Sequence, residues 1–68
     1  MLTHELLTSD QLPEILAALY EVRDYRDGKN NQLSEKASDI NALFEETDNL
    51  DAVIGTFERA KEWREENA

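Results

Sequence analysis

Few residues in this sequence could do chemistry. His4 and Glu5 open the run HELLT, which begins like the HExxH of a zinc protease. In that motif two histidines one helical turn apart hold the metal and the glutamate activates water. Thr8 stands where the second histidine belongs, so the site lacks a ligand. His4 is the only histidine and there is no cysteine, which removes both a histidine-based metal cluster and a thiolate nucleophile. The segment DYRDGKNNQLSE, from Asp24 to Glu35, has the look of a calcium loop. With Gly28 at the sixth position, Arg23 is first and Ser34 twelfth. With Asp24 first, Glu35 is twelfth, but Arg26 takes a ligand position and the glycine is displaced. A cation cannot ligate calcium. Carboxylates adjacent in sequence, such as Glu45 and Glu46, point in different directions on a helix. With two glycines in the chain there is no phosphate-cradling loop. The expectation is a protein that is not an enzyme, with no catalytic residue, cofactor, metal or small-molecule substrate.

Charge is the remaining chemistry. Sixteen acids against seven bases give a net charge of −9. Such a chain is repelled by nucleic acid and by anionic membranes, so neither is an expected direct partner. The run DINALFEETDNLDAVIGTFE, residues 39–58, carries Asp39, Glu45, Glu46, Asp48, Asp51 and Glu58 and no Lys or Arg. An ordinary solvated face mixes both signs. The bland explanation is still the wet side of helices. The functional alternative is a set of phosphate-like charges that mimics nucleic acid on a basic enzyme, as anti-restriction and anti-CRISPR proteins do.

The elements that would position these groups read as all-α. Proline occurs only at 13 and glycine only at 28 and 55, and no stretch alternates like a strand. Helix 1 is expected over about 11–27, with Asp10 as N-cap and Pro13 at the third helical position. Leu12, Ile15, Leu16, Leu19 and Val22 make its apolar stripe, and Gly28 its left-handed stop. GKNNQ then reads as a short polar turn between antiparallel neighbours. Helix 2 is expected over about 33–47, with Leu33, Ala37, Ile40, Leu43 and Phe44 as its stripe. Helix 3, about 49–66, carries Leu50, Val53, Ile54, Phe57 and Ala60. At 100° per residue the last two stripes are out of phase by roughly 110°, of which supercoil drift accounts for about 40°. A break at Thr47–Asn49 is therefore expected, with Asp48 capping helix 3. The rival is one bent helix over 33–66. With a break, Glu35, Asp39, Glu45 and Glu46 face away from helix 2's stripe, and Asp51, Glu58, Glu62 and Glu65 flank or oppose that of helix 3. Residues 1–9 read as a mobile end or a short helical turn.

A core of 68 residues is thin, since a chain this short buries only about 60% of its extended surface. Without disulfide or metal, a partner chain is the natural supplement. The expected fold is a small helical hairpin or three-helix unit completed by homodimerisation, with Leu12, Ile15, Leu19 and Val22 as the seam. Candidate contacts to a further protein are Tyr20 and Tyr25 beside the helix 1 stripe, Arg23 and Arg26 at its C-terminal end, and Trp63 off the helix 3 stripe. The tyrosines and arginines have structural alternatives: core edges for the first, and packed stems with charges on the helix dipole for the second. The N-terminus lacks a cationic signal region and no apolar stretch could span a bilayer, so a cytoplasmic location is expected. The leading functional expectation is a regulatory protein acting as a dimer on another protein. Its composition fits accessory proteins of phages and mobile elements.

Overall fold

The computed structural model describes residues 7–67 and forms three helices there: α1 (Leu12–Arg26), α2 (Glu35–Leu43) and α3 (Leu50–Glu66). No strand occurs among the described residues, and none of their helices is long and apolar enough to cross a membrane. His4 and the rest of segment 1–6 lie outside the described residues.

The start of α1 is not the one expected. Asp10 does not cap it. Gln11 occupies the cap position without a side-chain bond, and Pro13 falls within the first two helical residues. Ser9 organises the entry: its hydroxyl accepts from the Gln11 amide at 3.0 Å and its carbonyl from the Leu12 amide at 3.3 Å. The Asp10 carboxylate instead lies 3.7 Å from the Arg64 guanidinium, tying the start of α1 to the end of α3. The other end of α1 matches its sequence signal. Gly28 has φ +82°, and the Lys29 and Gly28 amides donate to the Asp24 and Tyr25 carbonyls at 2.8 and 3.1 Å. That pair of bonds closes a Schellman motif and satisfies carbonyls the helix leaves orphaned.

The connection that follows is not a turn between antiparallel neighbours. Ser34 meets Glu21, which accepts from its amide and hydroxyl at 3.1 and 2.7 Å. Lys36 reaches Gln11 at 2.8 Å and Glu14 at 3.8 Å. Asn41, further along α2, meets Arg26 at the far end of α1. Residues 27–34 therefore run back along α1, and α2 then descends in the same sense as α1. GKNNQ is only part of this return. α3 is the antiparallel partner: Tyr20 meets Glu58, and Arg64 reaches Ser9.

α2 is shorter at both ends than the expected 33–47. Ser34 caps it, accepting from the Ala37 amide at 3.3 Å, and it ends at Leu43 with Phe44 as C-cap. The break from α3 is present, which excludes one helix over 33–66. Asn49, not Asp48, caps α3, accepting from the Ala52 amide at 3.3 Å. Asn49 is one residue closer to Leu50, and that puts its short carbonyl arm in reach of the third amide. Asp51 remains in the first turn, where the helix dipole favours an acid.

α1 is the shared element, packed by both α2 and α3. One cluster holds Leu12, Ile15, Leu16, Ala18, Leu19 and Val22 of α1 with Ala37, Ile40, Phe44, Leu50, Ile54 and Phe57. Leu33, Val53, Ala60, Leu7 and Tyr20 pack on it partly buried. The Phe44 and Phe57 rings meet edge to face, with centroids 6.4 Å apart. The α1 stripe on which the dimer seam was placed is thus covered within one chain. Leu43, expected in the core, is 45% exposed. Ala37, Ile40 and Phe44 keep the 3–4 spacing that faces α1, and Leu43 falls beside that line.

Gly55 lies inside α3, where glycine costs about 1 kcal/mol relative to alanine. A Cβ built there would meet only the Arg59 Nη1 atom at 3.5 Å, an ordinary contact. Gly55→Ala should therefore stabilise the fold by about 1 kcal/mol, roughly 4–8 °C in a domain of this size. A thermal melt by circular dichroism checks this. A lowered melting temperature would mean that a close neighbour requires the glycine.

Candidate functional site

The six acids of the 39–58 run are all exposed, and none forms an ion pair among the described residues. Three different surroundings divide them. Glu58 accepts a hydrogen bond from the Tyr20 hydroxyl, which fastens α3 to α1. Asp48 and Asp51 line a cleft of about 130 Å³ with Arg23, Arg26, Asp27, Asn49 and Leu50. The cations missing from the run are thus supplied by α1, at a place the sequence spacing did not indicate. Asp39, Glu45 and Glu46 are neither bonded nor beside that cleft. Asp39 stands one helical turn before the exposed Leu43, and Glu46 follows it in the turn after α2. The result is an apolar side chain 45% exposed in a stretch of chain whose nearest acids in sequence are also exposed.

Arg26 ties the end of α2 to α1. Its Nη1 donates to the Thr47 carbonyl and its Nη2 to the Phe44 carbonyl, both at 2.8 Å. Nε and Nη2 also donate to Asn41 Oδ1 at 3.2 and 3.1 Å. The planar fork of an arginine suits this pattern and a lysine does not. A cation here also meets the negative end of the α2 dipole. The sequence placed Arg26 at the end of a stripe but not on the carbonyls of another helix. Arg23 is half-buried over the Tyr20 ring, 5.2 Å from its centroid, with Asp24 at 4.0 Å. Both arginines are engaged within the chain.

Of the aromatic candidates, Tyr25 is exposed, and Trp63 is the most exposed large apolar side chain among the described residues at 64%. Leu7, Thr8, Ala60, Trp63 and Arg64 line one shallow hollow. Trp63 lies at the opposite end of α3 from the acids around Leu43, so the structure does not bring these candidates together. Among the described residues, no group of three His, Asp or Glu side chains could hold a metal ion.

The hydrogen bond to Glu58, aided by burial, raises the Tyr20 pKa above its ordinary value of about 10. A raised pKa means the contact contributes fully below the ordinary value and is lost as pH rises through the shifted one. Alkali should therefore loosen α3 from α1, while neutral and acid pH leave the tyrosine unaffected. Tyr20→Phe should cost about 0.5–1 kcal/mol at neutral pH. It should also remove the part of the tyrosinate absorbance that titrates above the usual range. Loss instead of a component that titrates in the ordinary tyrosine range would rule out the bond.

Comparison with known proteins leaves the chain by itself: no family model matches it, nor does any curated protein or solved structure.

Proposed function

We propose that this is a non-enzymatic interaction protein that binds a basic surface of another protein through the outer edge of α2. The observation that carries this reading is Leu43, 45% exposed at the end of α2, in a stretch of chain where Asp39, Glu45 and Glu46 are all exposed and none forms an ion pair among the described residues. A half-exposed leucine supplies an apolar anchor, and unpaired carboxylates close to it in the chain select a cationic rim. Arg26 ties this edge to α1, which limits the ordering cost of binding.

Affinity capture with paired variants tests it. Asp39→Asn, Glu45→Gln and Glu46→Gln together should abolish capture of partners held by the native chain, with the helical signal retained. Leu43→Ser alone should weaken capture about tenfold, the effect of losing roughly 1.4 kcal/mol. Unchanged capture by both variants would remove the proposal. Competition by duplex DNA for the captured partner would narrow the reading to nucleic-acid mimicry, and indifference to DNA would exclude mimicry.

A further inference from the structure

The turn between α2 and α3 contains nothing that a helix forbids. No proline or glycine occurs between residues 29 and 54, and among the described residues only Gly28 has a positive φ. The turn keeps helix-like bonds of its own: the Phe44 amide donates to the Ile40 carbonyl at 3.1 Å and the Thr47 amide to the Phe44 carbonyl at 3.0 Å. Within it only the Asn49 cap of α3 favours the bend; the other restraint comes from α1. Arg26 occupies the Phe44 and Thr47 carbonyls, the acceptors that a continuing helix would offer to the amides of Asp48 and Asp51.

We propose that Arg26 is a latch against domain swapping. With the latch released, residues 44–49 straighten, α2 and α3 become one helix over 35–66, and α3 packs on the α1 of a second copy. Both α2 and α3 pack on α1, so every α1–α3 contact can form equally well between two chains. The Tyr20–Glu58 and Arg64–Ser9 bonds would simply become intermolecular. The straight helix would be about 48 Å long. Its two stripes are out of phase by roughly 110°, which suits a helix that turns one stripe to its own α1 and the other to its partner's. Short hinges under restraint are where such exchanges arise. The proposal does not depend on the acidic edge of α2.

Light scattering over a concentration series tests it with three proteins: the native chain, Arg26→Ala, and Arg26→Ala with Asp48→Pro. The expected result is a dimer dissociation constant about tenfold lower for Arg26→Ala than for the native chain, equivalent to about 1.4 kcal/mol. Adding the proline, which only the straight helix excludes, should restore a mass near 7.8 kDa. If the proline variant fails to fold, Thr47→Gly with Asp48→Gly replaces it, because two glycines penalise the straight form without blocking the bent one. Tyr20→Cys and Glu58→Cys, joined by a short bismaleimide in the Arg26→Ala background, should link two chains. Arg26→Ala remaining a monomer at high micromolar concentration would overturn the proposal. So would a dimer in which the two cysteines link within one chain.

Discussion

Phe57→Ala is expected to leave the chain largely unfolded at physiological temperature. Phe57 is fully buried and meets Phe44 edge to face, at the point where the end of α2 and the middle of α3 share the core with Leu12, Leu19 and Val22. Removing a buried phenylalanine ring costs about 3–5 kcal/mol, the lost transfer energy plus the cavity that remains. A domain of this length has roughly 3–10 kcal/mol of stability in all. The loss therefore takes most of what there is. Leu19→Asp, also at a fully buried position, should unfold the chain outright, since no cation lies in the core to pair the new charge. Circular dichroism melts measure both. A cooperative transition for Phe57→Ala within a few degrees of the native chain would mean that the core is not the one described.

Arg26→Ala is the second large effect, and it is unusual for a surface arginine. Exposed ion pairs contribute little, but this guanidinium donates to two backbone carbonyls and an asparagine side chain at a helix end. Without it the Thr47 carbonyl loses its partner, the Phe44 carbonyl keeps only the Thr47 amide, and the α2 dipole loses its counter-charge. Partial solvation replaces some of that. A net cost of about 1–2 kcal/mol follows, roughly 4–16 °C in melting temperature, read at low concentration so that the monomer is measured. Arg26→Lys should recover the charge effect but not the fork, and so fall between the two. Melting temperatures in the order Arg, Lys, Ala test this. Lysine equal to arginine would show that charge alone matters.

The helices were legible because each carries its own evidence. The stripe of Leu12, Ile15, Leu19 and Val22 has one period, and all four are buried. Gly28 followed by polar residues signalled a left-handed stop, and the phase mismatch between Ile40–Phe44 and Leu50–Phe57 required a break. What failed was everything that depends on a distant partner. Asp10 has the chemistry of a cap but meets Arg64, fifty-four positions away. The direction of α2 hinged on Glu21 taking Ser34, a contact with no trace in local spacing. Leu43 is inside α2 but beside the line of Ala37, Ile40 and Phe44 that faces α1, and nothing else among the described residues covers it. The acidic run was visible as composition, but its division between Tyr20, the Arg23–Arg26 cleft and open solvent was not.

The sense in which α2 runs has a consequence for how the chain is made. In an up-and-down bundle the first two helices can close as a local hairpin while the third is still being synthesised. Here residues 27–34 must first travel back along α1, with Ser34 meeting Glu21, before α2 can pair with it. The antiparallel mate of α1 is α3, reached through bonds such as Arg64 to Ser9 that join opposite ends of the described chain. Until α3 has left the ribosome, the Leu16 and Tyr20 side of α1 stays uncovered. The loop that must close then spans most of the described residues. Folding should accordingly wait for the last helix and proceed in one step, with no stable species made of the first two.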